Sequence, residues 1–314
     1  MSDARNDPFI SVVVPAYNES DNITPFYQAV RTVLDGLASR WELICVDDGS
    51  RDDTFARLCT LRSEDERVRV IRLSRNFGKE AALTAGLDHA QGDVIVPIDM
   101  DLQDPPELIG DMVRLWADGN DVVYATRTSR AGETWLKRAT AKAFYRVIGR
   151  VAHVSIPANT GDFRLMDRRV LDSLRELKET HRFMKGLFSW VGYRQVSLPY
   201  ERKPRHAGKS KLNYWTLWNF AIEGVTSFSI APLQIATYFG FVISVLSFAY
   251  AVYTVGKTLI YGVDVPGYAS ILVAILFFGG VQLVFIGVVG EYVGRIYDEV
   301  KRRPIYTIEQ KDGF

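Results

Sequence analysis

The sequence contains an acidic pair, Asp99 and Asp101, which flanks Met100 at the end of an apolar run. Residues i and i+2 of an extended segment point the same way, so these carboxylates repel each other unless a cation lies between them. Gln103 adds an amide oxygen, and carboxylate and amide oxygens suit Mg²⁺ or Mn²⁺ bound together with substrate phosphates. The histidines and cysteines show no zinc-ligand spacing. A solvated turn would explain the same short motif. The position of the motif in the fold therefore has to decide between a metal site and a solvated turn.

Polar clusters follow three other apolar runs, at Pro15–Glu19, Asp47–Ser50 and Arg75–Lys79. Short β-branched runs alternate with segments of helical spacing, which predicts a mostly parallel α/β sheet covered on both faces. Ligands of such sheets bind beyond the carboxyl ends of the strands, so the polar clusters and the acidic pair should share one cleft. The predicted strands are Ile10–Val14, Leu43–Val46, Val68–Leu73, Val94–Ile98 and Val122–Ala125. The predicted helices are Ser20–Leu37, Asp53–Leu61, Lys79–Ala90 and Leu108–Trp116.

The overall composition excludes several classes of protein. The 314 residues include 38 Lys and Arg against 37 Asp and Glu, a net charge of +1, which argues against a strongly basic nucleic-acid binder. With 47% hydrophobic residues the chain is not disordered, and two cysteines exclude a disulfide framework.

Charge is absent from two long segments, Gly224–Gly256 and Val265–Gly290. A bilayer core of about 30 Å needs roughly 20 helical residues, and both segments exceed that length. We therefore predict two transmembrane helices, about Leu233–Val255 and Tyr268–Gly290. The alternative is a pair of buried core helices, although a soluble helix of this length usually keeps one wet face.

Basic residues flank the two predicted spans on both outer sides. By the positive-inside rule, they place both termini and the polar domain in the cytoplasm, and the polar N-terminus gives no sign of a signal peptide. Glycines along the second span would allow close helix packing within the chain or against a neighbouring subunit. The flanking residues are Lys203, Arg205, Lys209 and Lys211 before the spans, and Arg295, Lys301, Arg302 and Arg303 after them.

Two further segments have the pattern of helices that lie on a membrane surface. Thr134–Val151 combines an apolar face with five basic residues, and Lys211–Phe228 is rich in Trp. Both patterns are typical of interfacial helices on anionic lipid. A core-packing helix with a solvated basic face remains the alternative for each.

Several motifs together resemble family 2 glycosyltransferases of the GT-A fold. The resemblance is closest to the membrane-bound polyprenyl-phosphate glycosyltransferases, which include bactoprenol glucosyltransferases and dolichol-phosphate mannose synthase. It extends from residue 9 to residue 303 and implies a GT-A domain (1–210), a juxtamembrane helix (211–230) and a two-helix membrane region with a cytoplasmic tail (231–314). The motifs are VVVPAYNES, VDDGS, RNFGKEAALTAG, DMDLQDPPE, NTGDFRLMDRR, PRHAGKSKL and GEYVGRIYDEVKRRP.

The resemblance implies transfer from a nucleotide sugar to a lipid phosphate, with inversion at the anomeric carbon. Asp48 would bond the edge of the nucleobase while Asp47 supports the loop, and Asp101 and Gln103 would bind Mg²⁺ or Mn²⁺. The implied contacts to the nucleotide sugar are Pro15, Tyr17, Glu19, Asp48, Gly78, Lys79, Asp99 and Met100.

The implied catalytic residues are Asp99 together with Asp162, Arg164 and Arg205. Because the acceptor phosphate is already an oxyanion at neutral pH, we interpret Asp162 as an orienting group more than a strong base. Asp162 and Arg164 would alternatively form a structural ion pair. A mobile basic loop would hold the diphosphate and the lipid phosphate, or act only as a membrane anchor; its residues are Arg205, Lys209 and Lys211.

Two other functions compete with this interpretation. A processive polysaccharide synthase would carry a Gln-x-x-Arg-Trp motif, but the only Arg-Trp pair is Arg40-Trp41, upstream of the other motifs. A catalytically dead scaffold or flippase partner would not need intact acidic residues.

The resemblance favours UDP-glucose over UDP-galactose, UDP-N-acetylhexosamine, UDP-aminoarabinose and GDP-mannose as donor, and undecaprenyl phosphate as acceptor. Expected partners are the membrane, further copies of the chain and a separate flippase for the product.

Overall fold

A computed structural model describes residues 5, 7–128, 157, 160–180, 182–201, 231–262 and 267–314. The predicted interfacial and juxtamembrane helices, 134–151 and 211–230, lie outside the described residues. The strands are β1 (Ile10–Ala16), β2 (Trp41–Asp47), β3 (Val68–Leu73), β4 (Val94–Pro97), β5 (Val122–Arg127), β6 (Thr160–Asp167), β7 (Gln195–Tyr200) and β8 (Ile308–Asp312). The helices are α1 (Ile23–Asp35), α2 (Thr54–Glu64), α3 (Lys79–His89), α4 (Leu108–Ala117), α5 (Arg168–Glu176), α6 (Met184–Trp190), α7 (Ala231–Tyr261) and α8 (Tyr268–Lys301).

One mixed sheet organises the polar domain, in the order β7-β5-β6-β4-β1-β2-β3-β8. Strands β1 to β4 are parallel to one another, whereas β6 runs antiparallel to both β4 and β5, and β8 runs antiparallel to β3. The central strands are apolar on both faces, because helices cover both sides of the sheet and form two separate hydrophobic clusters. The predicted mostly parallel α/β sheet is confirmed.

The helices next to the site pack in two different ways. Helix α1 buries Ile23, Phe26 and Val30 at helical spacing, as an amphipathic surface helix does. Helix α3 instead packs closely on the sheet, since a Cβ atom at Gly86 would lie 2.3 Å from Val13 Cγ1. This close packing fixes the first turn of α3 at the carboxyl ends of the strands.

The segment after α8 returns to the polar domain. Strand β8 pairs with the edge strand β3, and Tyr306 donates a 2.8 Å hydrogen bond to Asp88. Tyr306 and Ile308 also pack against the hydrophobic cluster beneath α3. Part of the segment expected to be a tail of the membrane region therefore belongs to the sheet.

Helices α7 and α8 are long and apolar enough, over Leu233–Tyr261 and Phe277–Lys301, to cross a membrane. They are not buried by the rest of the fold, and large side chains such as Phe248 are exposed along them. The rings of Phe239 and Phe285 lie 6.0 Å apart, which joins the start of α7 to the second half of α8. The two helices therefore form an antiparallel hairpin that presents apolar side chains outward.

Candidate active site

The sheet topology brings the predicted acidic residues together at one edge. Parallel strands β1 to β4 all end at this edge, and the antiparallel strand β6 begins there. Val94 of β4 pairs with Asp167 of β6. Asp99 lies just past the end of β4, and Asp162 lies near the start of β6, so both residues are at this edge. The strand register thus places two residues of distant motifs side by side.

Lys79, the first residue of α3, joins these two acids. Its Nζ atom lies 2.7 Å from Asp99 Oδ1 and 2.6 Å from Asp162 Oδ2. The Lys79 side chain is 45% exposed, whereas that of Asp162 is only 10% exposed. The three side chains form one charged cluster that opens to solvent on the Lys79 side. The predicted contact of Lys79 with the base or ribose stays a prediction.

The environment of Asp162 keeps this carboxylate ionised. Burial alone would raise its pKa, but the ammonium groups of Lys79 and Lys185 outweigh burial and hold the pKa at about 2. Its Oδ1 atom is buried without a hydrogen-bond partner among the described residues. Asp162 is therefore a weak base with one carboxylate oxygen left to accept a hydrogen bond.

The acidic turn after β4 has an unusual backbone. Leu102 has a φ of 55°, in the left-handed region, and Asp101 Oδ1 accepts a 3.1 Å hydrogen bond from the Gln103 amide. Asp101 is 7% exposed, and the Met100 side chain between the two acids is buried in the core. Only the backbone of Met100 is thus left for the predicted nucleotide contact.

The donor set of this turn fits a hard divalent cation. Asp101 supplies a carboxylate and Gln103 a side-chain amide, while the described residues contain no group of three or more His, Cys, Asp and Glu that could hold a metal ion. Mg²⁺ and Mn²⁺ are commonly held by one or two protein oxygens plus substrate phosphates and water. The residues therefore suit an ion that arrives with a nucleoside diphosphate.

Asp48 holds the loop that leads into α3. Its two oxygens accept hydrogen bonds from the amides of Phe77, at 2.7 Å, and Gly78, at 2.9 Å. Burial raises the pKa of Asp48, and these amides counteract the shift. Gly78 has a φ of 99°, which favours glycine. Asp48 thus supports a loop, and its bond to a nucleobase stays a prediction. Asp47 supports the turn after β2, as expected, because its Oδ1 atom accepts a 3.1 Å hydrogen bond from the Ser50 amide.

The loop after β1 is tied to the loop after β2. The Asn18 amide donates to Ser50 Oγ, its side-chain oxygen accepts from the Arg51 amide, and the Glu19 amide donates to Thr54 Oγ1, each at 2.9 Å. These bonds fix the first loop at the same edge as the acidic turn. Three half-buried residues predicted for the nucleobase pocket lie here, Pro15 near the end of β1 and Tyr17 and Glu19 on the loop.

Arg164 points into the protein interior. It is 4% exposed, donates a 2.9 Å hydrogen bond to the carbonyl of Gly161, and lies 3.9 Å from the ring centre of Phe188. Burial lowers its pKa to about 10, although the charge of Asp162 opposes the shift. Arg164 is thus placed to shape the strand that carries Asp162, and its predicted catalytic role stays untested.

Two further charged residues near Asp162 were not expected. Glu80 follows Lys79 in α3, and Lys185 lies in the first turn of α6; their charges and that of Asp162 influence one another. The sequence alone gives only a weak signal that Glu80 belongs to the site, because an acid in the first turn of a helix ordinarily serves to balance the helix dipole.

The residues of the predicted basic loop, Arg205, Lys209 and Lys211, lie outside the described residues.

Comparisons with known proteins identify the families and chains to which this chain is similar. The model of glycosyl transferase family 2 matches residues 11–175, and the model named GtrB C-terminal hairpin matches residues 231–296. An uncharacterized glycosyltransferase of Synechocystis is 56% identical and covers 97% of this chain and 96% of its own. A prophage-derived bactoprenol glucosyl transferase of Shigella flexneri is 47% identical over 96% of this chain and 97% of its own. A mannosyltransferase structure from Pyrobaculum calidifontis, with GDP-Man and Mn²⁺, is 18% identical, covers 94% of this chain and 87% of its own, and has a TM-score of 0.46.

Proposed function

Because the chain belongs to glycosyl transferase family 2, we propose that it transfers a hexose from a nucleotide sugar to a polyprenyl phosphate, with inversion at the anomeric carbon. The observation that carries the proposal is the meeting of the Asp99–Gln103 turn, Lys79 and Asp162 at one edge of the sheet. Acidic residues at the carboxyl ends of strands suit a phosphate-bearing donor with its metal ion. The apolar hairpin suits a lipid acceptor.

UDP-glucose is the proposed donor and undecaprenyl phosphate the proposed acceptor. The Shigella flexneri relative is a bactoprenol glucosyl transferase, which supports both glucose and a bacterial polyprenyl chain. Uridine is the nucleobase that the family resemblance favours. The product would be a polyprenyl-phosphate sugar that serves as donor in later modification of cell-envelope glycans.

Asp101 and Gln103 would hold Mg²⁺ or Mn²⁺, which when bound neutralises negative charge that develops on the leaving diphosphate. Four residues at the same edge would line the nucleotide pocket: Pro15 near the end of β1, and Tyr17, Glu19 and Gly78 on loops. Arg205, Lys209 and Lys211 are proposed to bind the phosphates of both substrates.

The chemistry needs positioning more than proton transfer. An ionised oxygen of the acceptor phosphate attacks the anomeric carbon, the new carbon–oxygen bond forms on the opposite face, and the nucleoside diphosphate leaves with the electrons of the broken bond. No proton has to be removed from the attacking oxygen. The pKa of Asp162, held at about 2, supports a role in orienting a hydroxyl group or the acceptor over a role as base.

Helices α7 and α8 are proposed to cross the bacterial cytoplasmic membrane. Because β7 and β8 lie in the same sheet, the chain between them must cross the bilayer an even number of times or not at all. Two crossings satisfy this condition, and the basic flanks support a cytoplasmic location of the polar domain.

Two proposed partners complete this assignment. The glycines of α8 support association of the hairpin with copies of itself. Two spans are too few for a sugar path through one chain, so a separate flippase would move the product. Proteoliposomes that contain only this chain are therefore expected to keep the lipid-linked sugar in the leaflet where it forms.

A donor panel with the purified full chain, undecaprenyl phosphate and Mg²⁺ or Mn²⁺ tests the proposal. We expect transfer of radiolabelled glucose from UDP-glucose into the lipid fraction, abolished by EDTA and by Asp101→Asn. Nucleotide-sugar hydrolysis without lipid product, or transfer to a water-soluble acceptor only, would contradict it.

A further inference from the structure

Tyr200, the last residue of β7, is a buried tyrosine to which neither the motifs nor the proposed mechanism assign a role. It is 5% exposed, and its ring lies edge-on to that of Phe163, with the ring centres 6.5 Å apart. Its hydroxyl group donates a hydrogen bond to Asp104 Oδ1 and accepts one of 3.3 Å from Arg127 Nε. The hydroxyl group of β7 therefore joins two charged groups that belong to other segments of the chain.

The direction of these two bonds follows from the donors that are available. The Arg127 guanidinium has only N–H donors and the Asp104 carboxylate has only acceptors, so the tyrosine oxygen accepts from the first and donates to the second. Burial and the charge of Asp104 raise the pKa of Tyr200 to about 12, so the hydroxyl group keeps the proton that it donates. Arg127, Tyr200 and Asp104 thus form one chain of hydrogen bonds, in which each bond strengthens the next.

Backbone pairing fixes the strand end of this chain of bonds. Tyr200 and Arg127 are register partners where β7 runs parallel to β5. The Tyr200 carbonyl accepts a 3.0 Å hydrogen bond from the Thr128 amide and a 3.2 Å hydrogen bond from the Thr128 hydroxyl group. The Arg127 side chain in turn lies against the start of β6, since a Cβ atom at Gly161 would lie 3.2 Å from its Nη2 atom. The tyrosine hydroxyl group is therefore held in a fixed position at the edge of the sheet.

Asp104 connects this hydroxyl group to the turn that carries the proposed cation ligands. It is 2% exposed and directly follows Gln103, whose amide is bonded to Asp101 Oδ1. In the sheet, β5 and β6 separate β7 from β4, the strand before this turn. The bond between Tyr200 and Asp104 thus spans the part of the edge at which β6 begins. A displacement of Asp104 would move Gln103 directly.

We propose that Tyr200 is a positioning residue for the divalent cation: it holds Asp104, and with it the adjoining turn, so that the two proposed ligands keep the separation that the cation requires. The proposal rests on the metal site of the proposed transfer reaction. Few protein oxygens hold such an ion, because water and substrate phosphates supply the rest. Groups that orient those few ligands therefore have a large effect on how tightly the metal binds.

Mn²⁺ binding to the purified full chain in the presence of UDP tests this role without any transfer reaction. Tyr200→Phe removes the hydroxyl group and keeps the ring in the hydrophobic cluster. We expect it to weaken Mn²⁺ binding about 10-fold, as measured by electron paramagnetic resonance, because the loss of a group that orients metal ligands usually has an effect of this size. Tyr193→Phe, at an exposed tyrosine whose hydroxyl oxygen lies 2.7 Å from Ser173 Oγ, is the matched control and should bind Mn²⁺ like wild type.

Variants of Asp104 test the same link from its other end, without any change to β7. Asp104→Asn keeps an oxygen that accepts a hydrogen bond from the tyrosine, so it should bind Mn²⁺ more tightly than Asp104→Ala. If Tyr200 acts through Asp104, the double variant Tyr200→Phe/Asp104→Ala should bind Mn²⁺ no more weakly than Asp104→Ala alone. Equal binding by the two single variants of Asp104, or losses that multiply in the double variant, would overturn the proposal.

Kinetics separate positioning of the metal from a general loss of structure. In Tyr200→Phe the Mn²⁺ concentration for half-maximal transfer should rise about 10-fold, whereas kcat at saturating Mn²⁺ should stay near that of wild type. A lower kcat that excess Mn²⁺ does not restore would contradict positioning through the metal site.

The binding measurement also separates this proposal from the assigned reaction. If wild type binds Mn²⁺ and UDP but transfers no sugar to the lipid, the assigned reaction fails, while weaker Mn²⁺ binding in Tyr200→Phe still supports the role of Tyr200. If Tyr200→Phe binds Mn²⁺ as tightly as wild type does, the proposal for Tyr200 fails whatever the reaction is.

Discussion

Acids of the same type have different surroundings at this site, and the surroundings separate their roles. Asp162 is paired with Lys79 and ionised, whereas Asp101 lies with Gln103 in the turn that fits a divalent cation. Loss of Asp162 would leave the cation site intact. Loss of the Asp101 carboxylate would remove charge from the proposed cation ligands, which in the proposed mechanism stabilise the leaving group.

We therefore expect Asp101→Asn to be more harmful than Asp162→Asn. The first should lower kcat/KM by about 10²- to 10³-fold, the usual effect of losing one electrostatic contact in the transition state. The second should lower it by about tenfold, the worth of one hydrogen bond to a charged group. Steady-state kinetics at saturating Mg²⁺ or Mn²⁺ measures both. Background activity in Asp162→Asn beside substantial turnover in Asp101→Asn would reverse the ranking.

Motif spacing could predict which acids lie at the edge of the sheet but not how they pair. The Lys79 bridge depends on the register of β4 against β6, which joins segments far apart in the chain. The alternation that points Asp99 and Asp101 the same way points the Met100 side chain the other way, and the structure buries it in the core. Contacts between residues on different strands can be predicted only when the tertiary fold is known.

Among the elements, apolar periodicity predicted the alternating strands and helices from β1 to β5, and the structure has them within a few residues of the expected bounds. It missed β6, because Asp162 and Arg164 interrupt the apolar run, and it missed both edge strands, β7 and β8. The sequence of β8, IEQKD, is almost wholly polar. An edge strand needs only backbone hydrogen bonds on one side, so its sequence carries little hydrophobic signal.

The turn after β2 and the loop before α3 are too close for a side chain between them. A Cβ atom at Gly49 would lie 2.6 Å from the carbonyl carbon of Arg75, and Gly49 has a φ of 64°. Gly49→Ala should therefore lose about 1–2 kcal/mol from the left-handed backbone alone and displace the loop held by Asp48. We expect a lower melting temperature and a higher KM for the nucleotide sugar.

Gly110→Ala is the matched control for Gly49→Ala. Gly110 lies inside α4, and a Cβ atom there meets nothing closer than 4.0 Å. Alanine favours a helix by about 1 kcal/mol over glycine, so this variant should melt at the same or a higher temperature with unchanged kinetics. Equal KM and melting temperature in Gly49→Ala and wild type would show that the loops are not coupled.

Removal of residues 308–314 should destabilise the polar domain although no proposed site residue is lost. The truncation would unpair the edge strand β3 and uncover the cluster on which Ile308 packs. We expect a lower melting temperature and aggregation through the exposed edge. The control Glu309→Ala loses only an exposed ion pair with Arg72, worth about 0–1 kcal/mol. A truncated chain as stable and soluble as wild type would contradict this role of β8.

For the molecule as a whole, the position of β8 restricts the topology of the hairpin. Segments before α7 and after α8 share one sheet, so both must lie on the same side of the membrane. The turn between the helices must then lie on the opposite side if both helices cross.

Cysteine labelling in intact cells measures this arrangement. Tyr261→Cys, at the exposed end of α7, should react with a membrane-impermeant maleimide added outside. Glu309→Cys, on the exposed side of β8, should react only after lysis. Equal labelling of the two positions in intact cells would contradict a hairpin with two crossings.

The order of elements along the chain also has a consequence for biosynthesis. Strand β8 leaves the ribosome after the hairpin, so the sheet receives its eighth strand only once the apolar helices have been made. If the hairpin inserts into the membrane as proposed, the sheet is completed only after the hairpin has been made, and a chain without β8 in place keeps an open edge at β3 that quality-control proteases and chaperones can recognise.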